Sequence, residues 1–220
     1  MKLVWHPEKA SAAYIDTVRS CGGLNRESSA AEMISAMAGG WNAKLIVEAC
    51  FSGGATTKSV GLAIAARHSG GRHVCIVKDE KSKLDYVTAM EEYSGVSLPE
   101  VLVGEAAEVI ETLAGVDFLV VDARCKYYTR VFRVAKLSHR GAVLVCKNAT
   151  QLGIINRTQW GKVLDNTVRV VRSVILPVGN GLDIAYVSCN GGELDGQHSG
   201  RHWWISHVDR RSGEEHLFRR

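Results

Sequence analysis

An acid, a glycine pair and, after the pair, the hydroxyl residues Thr56, Thr57 and Ser59 lie close together in the segment KLIVEACFSGGATTKS, which runs from Lys44 to Ser59. Glu48 ends a short apolar run, and Gly53 and Gly54 precede the threonines. A carboxylate accepts hydrogen bonds from ligand hydroxyl or amino groups, while glycines let a ligand approach the main chain closely. A helix predicted to follow offers unpaired N–H groups in its first turn. The segment therefore predicts a ligand site.

Two familiar phosphate-binding motifs are missing from this segment. Lys58-Ser59 lacks the preceding glycine of a P-loop, and the G-x-G-x-x-G fingerprint does not occur. A tight strand-to-helix turn that binds no ligand has the same local composition. Both interpretations stay open on this segment alone.

Apolar runs typical of buried strands alternate with segments of helical period along most of the chain. Strands are predicted at Leu45–Ala49, His73–Val77, Glu100–Val103, Phe118–Val121, Ala142–Cys146, Val168–Leu176 and Leu182–Ser188. Helices are predicted at Glu8–Cys21, from a capping box at Ser29 to the Gly39-Gly40 pair, and at Thr57–His68, Lys81–Tyr93, Ala106–Ala114, Tyr128–Leu137 and Thr158–Leu164. This alternation is typical of a Rossmann-like, doubly wound α/β fold with a mostly parallel sheet, which binds ligands beyond the carboxyl ends of its strands.

The end of the chain departs from this alternation. Asn180-Gly181 separates the last two core strands and is typical of a hairpin turn. We therefore expect a seven-stranded sheet whose last strand is reversed. A second hairpin is predicted around Arg210 to Gly213. We interpret His198 and His202, which precede it, as surface histidines rather than metal ligands, because nearby glycines disfavour the helix that a metal site would need.

The bulk composition fits one globular domain. The chain has 220 residues, of which 46% are hydrophobic, with a net charge of +4. We expect a single domain over 1–220, with N-terminal helices at 1–42, a core at 43–190 and a C-terminal extension at 191–220. No apolar run has membrane-spanning length, and no signal-peptide core is present. The six cysteines lack metal-ligand spacing, which favours reduced thiols and a cytoplasmic location, with the nucleus left open.

Four short blocks occur in a fixed order between Glu48 and about Val187. They are Glu48-Ala49-Cys50 with Gly53 to Thr56, Gly104-Glu105-Ala106, Val116 to Arg124, and Leu176 to Gly181. In this order they resemble plant caffeoyl-coenzyme-A and catechol-type O-methyltransferases, which are class I S-adenosylmethionine-dependent enzymes. The two ends of the chain resemble instead an uncharacterised plant family, a domain of unknown function that shares this fold.

The resemblance implies a site for S-adenosylmethionine at the carboxyl edge of the sheet. It places the cofactor over the glycine pair, its ribose at Asp79 or Glu80, and its adenine near Gly104 to Ala106. The implied cofactor-binding residues are Glu48, Gly53, Gly54, Asp79, Glu80, Gly104, Ala106 and Asp122. Cys50 stands where the family has a glycine. The alternative is that the acids are ordinary strand-end carboxylates in water.

The resemblance also implies a divalent metal, and here the sequence departs from it. The three metal-binding positions correspond to Asp122, Lys147 and Asn148. An ammonium at the second position repels a metal ion at contact distance. We therefore expect a metal-independent protein in which Lys147 forms an ion pair with Asp122, or acts as a base. These two are the candidate catalytic residues.

Four basic residues recur at steps of three or four: Arg130, Arg133, Lys136 and Arg140. This spacing predicts one basic helix face, which could bind RNA or another polyanion. The alternative is a solvated face.

The prediction from the whole sequence is a methyltransferase-like protein that uses S-adenosylmethionine, no metal, and a small-molecule acceptor of unknown identity. A homodimer is left open, and no membrane partner is expected. The alternatives are a catalytically silent adenosyl-binding module and a polyanion-binding protein.

Overall fold

A computed structural model describes residues 5–21, 28–49, 57–93, 95–152, 158–189, 204–208 and 215–219. Seven strands form its main sheet, in the order β3-β2-β1-β5-β7-β9-β8. They are β1 (Leu45–Ala49), β2 (Arg72–Val77), β3 (Glu100–Val103), β5 (Phe118–Asp122), β7 (Ala142–Lys147), β8 (Val168–Leu176) and β9 (Leu182–Cys189). Strands β1, β2, β3, β5 and β7 are parallel, whereas β9 runs antiparallel to both β7 and β8. The predicted sheet with its reversed last core strand is confirmed.

Seven α-helices connect or precede these strands in the described part of the chain. They are α1 (Pro7–Cys21), α2 (Ser28–Gly40), α3 (Thr57–Ser69), α4 (Glu80–Glu91), α5 (Ala106–Thr112), α6 (Tyr128–Val134) and α7 (Trp160–Val163). A short 3-10 helix covers Ala149–Leu152. Strands β10 (Trp204–Val208) and β11 (Glu215–Arg219) form the predicted C-terminal hairpin pair. No helix in the described ranges has both the length and the apolarity needed to span a bilayer.

The sheet is covered by helices on both faces. One face packs against α1, α2 and α3, with residues such as Ile46, Phe118 and Val143 in the contact. The opposite face packs against α5, α6 and α7. Strands buried on both faces have no polar alternation, which explains why β1, β5 and β7 are continuous apolar runs that end in a charged or small residue. The charged residues inside this sheet therefore need a specific explanation.

Two predicted helices end earlier in the structure than the sequence pattern indicates. Helix α5 ends at Thr112 instead of Ala114, and α6 ends at Val134 instead of Leu137. The reason is tertiary, because the residues that follow them form a small parallel sheet of β4 (Ala114–Val116) and β6 (Lys136–Leu137). Pairing between distant segments overrides local helix propensity.

Smaller differences occur at other helix ends. Helix α2 begins at Ser28, so Ser29 lies inside the helix rather than at its cap. Helix α7 covers less than the predicted range Thr158–Leu164. Cys21, Cys125 and Cys146 are free, and Cys21, Cys75 and Cys146 are buried. Burial raises the pKa of the Cys146 thiol to about 12, so this thiol is inert at neutral pH.

Candidate functional site

The carboxyl ends of the parallel strands meet at one edge of the sheet, and the predicted site residues follow those ends. Glu48 lies in β1, Gly104 follows β3, and Asp122 and Lys147 end β5 and β7. Gly53 and Gly54 fall outside the described residues, so their predicted role stays a prediction. The structure thus brings the described site candidates to a common edge, which is where doubly wound folds bind ligands.

Glu48 is completely buried on the face of the sheet that packs against α3. The Ser59 hydroxyl of α3 donates to its carboxylate, with distances of 2.9 Å to Oε1 and 2.8 Å to Oε2. His73 Nε2 lies 3.6 Å from Oε2, and Lys147 Nζ lies 3.5 Å from Oε1. A carboxylate removed from water needs such partners. The interpretation of Glu48 as a solvated strand-end acid is therefore wrong, and its predicted role toward the cofactor stays a prediction.

Lys147 reaches Glu48 across an intervening strand. Strand β5 lies between β1 and β7, so the two backbones are separated by two strand spacings, or roughly 9–10 Å. The prediction that Lys147 forms a direct ion pair with Asp122 is wrong, although the two residues lie opposite each other on the neighbouring strands β5 and β7. The ammonium group lies beside Glu48 instead, and its side chain is only 5% exposed. It still acts on Asp122 at longer range, as one of the charges that lower the pKa of that carboxyl.

Asp122 is completely buried and is held by neighbours on the same edge. Arg124 donates to it from Nε at 3.0 Å, from Nη2 at 2.7 Å and from its backbone N–H at 2.9 Å. Asn148 Nδ2 donates at 2.9 Å. Burial alone would raise the pKa of the Asp122 carboxyl, but the hydrogen bonds from Arg124 and Asn148 outweigh burial and hold the pKa below its usual value. Asp122 is therefore a charged, fully engaged carboxylate at neutral pH.

Asp79 and Glu80 follow β2 at the start of α4, and both are exposed. The Asp79 carboxylate caps α4 by accepting the Ser82 N–H at 2.7 Å. The same hydrogen bond is the main cause of the lowered pKa of Asp79. A carboxylate has four acceptor positions, so Asp79 can cap the helix and still accept a ligand hydroxyl. The one-residue ambiguity between Asp79 and Glu80 as the ribose ligand therefore stays open.

The turn after β3 contains the other two predicted contacts, Gly104 and Ala106. Gly104 has a φ of 150°, and a Cβ atom there would lie 2.8 Å from Val109 Cγ2. Its N–H donates to the Val77 carbonyl at 2.9 Å. Glycine is therefore required by the packing of this turn, whatever else it does. Ala106 begins α5, and the predicted contact of this turn with adenine stays a prediction.

A buried hydroxyl at the start of α3 makes no hydrogen bond to any described group. Thr57 is the first residue of α3, and its Oγ1 atom is buried without a hydrogen bond to any described group. A buried hydroxyl without a partner is unfavourable by about 1–3 kcal/mol. A ligand bound at the start of α3 could satisfy this hydroxyl.

The positions that correspond to a metal site do not fit a divalent cation. The Asp122 carboxylate already holds a guanidinium by two side-chain nitrogens, and Asn148 presents its amide N–H group to the same carboxylate. Lys147 adds a buried ammonium group at this edge. Hard cations such as Mg²⁺ need several oxygen ligands and no competing cation. In the part of the chain that the structure describes, no group of three or more His, Cys, Asp or Glu residues could hold a metal.

The prediction that all four basic residues lie on one helix face is wrong. Arg130 and Arg133 lie in α6, but Lys136 lies in β6 and Arg140 lies beyond it. Arg133 Nε donates to the Val163 carbonyl at 3.2 Å, and Arg140 Nη2 lies 3.0 Å from the carboxylate of Asp117. Two of the four cations are thus partly engaged within the protein. Polyanion binding by these residues stays a prediction.

Two residues of the site, His73 and Arg124, were not predicted from the sequence, and Ser59 was predicted as part of the ligand segment but not as the partner of Glu48. Arg124 could have been predicted from the sequence. The resembled family has an acid at this position, directly after the Asp-Ala pair, so a basic residue here changes the charge beside a position that corresponds to a metal ligand. Ser59 and His73 carry no such signal. Their contact with Glu48 depends on how α3 and β2 pack around β1.

Comparisons with known proteins identify a family from the sequence and a fold from solved structures. Residues 1–220 match the model of the family described as Protein of unknown function (DUF1442). None of the curated proteins matches the sequence.

Solved structures with a similar fold are methyltransferases. The SAH-bound methyltransferase PaMTH1 of Podospora anserina is 18% identical, with a TM-score of 0.56, over 84% of this chain and 89% of that chain. The O-methyltransferase of Bacillus cereus, in complex with SAH, is 18% identical, with a TM-score of 0.58, over 84% and 93%. A putative caffeoyl-CoA O-methyltransferase of Staphylococcus aureus is 16% identical, with a TM-score of 0.54, over 78% and 91%. These likenesses show that the chain has a methyltransferase-like fold.

Proposed function

The chain belongs to the family described as Protein of unknown function (DUF1442), and from the geometry of its carboxyl edge we propose that it is an S-adenosylmethionine-dependent methyltransferase-like protein that works without a divalent metal. The observation that carries the proposal is the set of polar groups at one sheet edge. Two buried acids, Glu48 and Asp122, and two exposed acids, Asp79 and Glu80, all lie at or just beyond the ends of parallel strands. The methyl acceptor is proposed to be a small molecule.

The exposed acids suit the ribose of an adenosyl ligand. A ribose presents two adjacent hydroxyl groups, and a carboxylate can accept hydrogen bonds from both. Asp79 is held in place by its bond to Ser82, so its orientation is fixed before a ligand arrives. Thr57 Oγ1, which lacks a partner among the described residues, supports a polar ligand group at the start of α3. S-adenosylmethionine would supply the electrophilic methyl group.

The buried acids serve a different purpose in this proposal. Glu48 is held between Ser59 and Lys147, and Asp122 is held by Arg124. These paired charges form part of the wall of the proposed site, and Asp122 and Lys147 stand at two of the three positions that correspond to metal ligands in the resembled enzymes. No step of the proposed reaction therefore passes through a metal ion.

Lys147 is proposed to act as a fixed positive charge rather than as a base. The Glu48 carboxylate, 3.5 Å away, favours the charged ammonium form, and a charged ammonium cannot accept a proton from an acceptor hydroxyl. A positive charge at the edge can instead stabilise negative charge that develops on an acceptor oxygen. The base that removes the acceptor's proton is not assigned to any residue.

Calorimetric titration of the purified protein with S-adenosylmethionine and S-adenosylhomocysteine tests the proposal. We expect saturable binding that is unchanged by a chelator. The double substitution of Asp79→Ala and Glu80→Ala should weaken binding by about 1.5–3 kcal/mol, the contribution of a hydrogen bond to a charged group. An Asp85→Ala variant, which changes another acid of α4, is the matched control and should bind as the wild type does.

Two results would count against this proposal. Absence of binding at roughly millimolar ligand would remove the adenosyl site altogether. Unchanged affinity in the double variant would remove the ribose assignment. Binding without turnover on any acceptor would favour a catalytically silent adenosyl-binding module.

A further inference from the structure

A second pocket, of about 310 Å³, lies at the amino-terminal edge of the sheet. Its walls come from α3, from the first residues of β2, and from the segment 97–100 that leads into β3. The candidate cofactor site is at the opposite, carboxyl edge. The pocket is therefore a separate cavity, and its volume is at the lower end of the range for small-ligand sites.

Positive charge predominates in the lining of this pocket. Arg67 and Arg72 both line it, and Glu100 is the one acid among its lining residues. Arg67 Nη2 lies 2.8 Å from Asp16 Oδ2, and Arg72 Nη2 lies 2.6 Å from Glu100 Oε2. These contacts hold both guanidinium groups in place. A guanidinium has five N–H donors, so each arginine keeps donors for a ligand.

His73 adds a buried polar group to the same lining. Its side chain is only 3% exposed, and its Nε2 atom faces the Glu48 carboxylate at 3.6 Å, whereas Nδ1 is buried without a hydrogen bond to any group in the described ranges. A buried ring nitrogen without a partner is unfavourable by about 1–3 kcal/mol. A ligand oxygen in the pocket could accept a hydrogen bond from the imidazole and remove this penalty.

The remaining walls of the pocket are mostly apolar. Ala63 and Ala66 of α3 are buried, and Pro99 is buried on the other side. Leu98 lines the pocket and is 48% exposed. An apolar ligand body would shield this leucine from water.

We propose that this pocket binds a small organic anion, in which a carboxylate or phosphate group is attached to an apolar body. The anionic group is held by Arg67 and Arg72, which recognise planar or tetrahedral anions by paired N–H donors. His73 donates a further hydrogen bond to it. The apolar body packs between the alanines of α3 and Leu98. This site is independent of adenosyl binding, so the proposal can be tested separately from the proposed methyltransferase function.

The test uses two probes, phenyl phosphate and benzoate, with benzyl alcohol as the uncharged control. Each is titrated into the full chain in the absence of any adenosyl ligand, by calorimetry and by thermal shift. We expect at least one anion to bind saturably and raise the melting temperature, and benzyl alcohol to bind at least about ten-fold more weakly. The stronger of the two anions identifies the preferred acidic group.

Two variants localise the binding. Arg72→Gln should weaken the binding of the tighter-binding anion about ten-fold or more. Leu98→Glu should weaken its binding to a similar extent, because it places a negative charge at the pocket rim. Arg169→Gln is the matched control, since it changes an exposed strand arginine at the far edge of the sheet, and it should bind normally. Three outcomes would overturn the proposal. The first is that benzyl alcohol binds as tightly as the anions, and the second is that neither anion binds at roughly millimolar concentration. The third is that anion binding is unchanged in both variants.

Discussion

Strand β5 has a buried aspartate at each end, and the two are held in different ways. Asp117 immediately precedes the strand and accepts hydrogen bonds from the backbone N–H groups of Lys44 and Leu45 at the start of β1. It also pairs with Arg140, which is distant in sequence. Asp122, at the carboxyl end, is held mainly by the side chains of neighbours at the same edge.

This difference distinguishes an acid that joins two strands of the sheet from an acid at the proposed ligand site. The main-chain donors of Asp117 cannot move without separating β1 from β5. Asp122 and Glu48 are instead held mainly by side chains. The amino edge is thus fixed by backbone contacts, whereas at the carboxyl edge the buried acids are paired with basic side chains.

The largest expected effect comes from breaking the buried pair at the carboxyl edge. Lys147→Met leaves the Glu48 carboxylate buried without its ammonium partner, and we expect a loss of about 3–5 kcal/mol of unfolding free energy. That corresponds to roughly 6–20 °C in Tm for a chain of this size. Thermal and urea unfolding would measure it.

A second substitution tests the cause of that loss. Adding Glu48→Gln to Lys147→Met removes the carboxylate charge that has lost its ammonium group, so the double variant should recover most of the lost stability. Lys162→Met, an exposed lysine, should stay within about 0.5 kcal/mol of the wild type. A double variant no more stable than Lys147→Met alone would mean that Glu48 and Lys147 are not coupled.

A smaller loss is expected at the amino edge. Asp117→Ala leaves the N–H groups of Lys44 and Leu45 without their acceptor, which should destabilise the fold by about 2–4 kcal/mol. Because this edge takes no part in the proposed cofactor site, the folded variant should bind S-adenosylhomocysteine as the wild type does. A specific loss of that binding, measured by calorimetry well below Tm, would contradict the separation of the two edges.

The smallest effect is a change in pH dependence. The pKa of Asp122 is lowered in the folded protein, so its ionisation stabilises the fold above the unfolded pKa of about 3.9. This contribution is lost as pH falls through the lower folded pKa. Arg124→Gln removes the main donor and should raise the Asp122 pKa, so stability should fall less steeply below about pH 4.

The pH profile of unfolding, measured by urea titration, checks this expectation. Arg130→Gln changes an exposed arginine of α6 and serves as its control, since it should keep the wild-type acid limb. An Arg124→Gln profile that coincides with the wild type would show that Arg124 does not control Asp122.

Much of the fold could be predicted from the sequence, because buried parallel strands are continuous apolar runs with turn residues between them. The strands β1, β3 and β8 have the predicted boundaries, and β2, β5, β7 and β9 differ by one residue at an end. Helix ends were harder to predict. The end of α6 at Val134 depends on a pairing of β6 with β4, which no local pattern contains.

The site could be predicted only in outline. The sequence placed Glu48, Asp122 and Lys147 at one edge, because each lies at the end of an apolar run. It paired Lys147 with Asp122, which is its register partner, whereas the structure pairs it with Glu48. That choice depends on side-chain direction and on Arg124 already engaging Asp122, and neither can be derived from spacing.

A crystal structure of the wild-type protein with S-adenosylhomocysteine, grown with excess magnesium chloride, tests the central claim most directly. The account predicts the ligand at the carboxyl edge, with its ribose at Asp79 or Glu80. It also predicts Lys147 Nζ in contact with Glu48 and no cation between Asp122 and Asn148. A well-ordered metal ion coordinated by Asp122 and Asn148, with Lys147 displaced from Glu48, would contradict it.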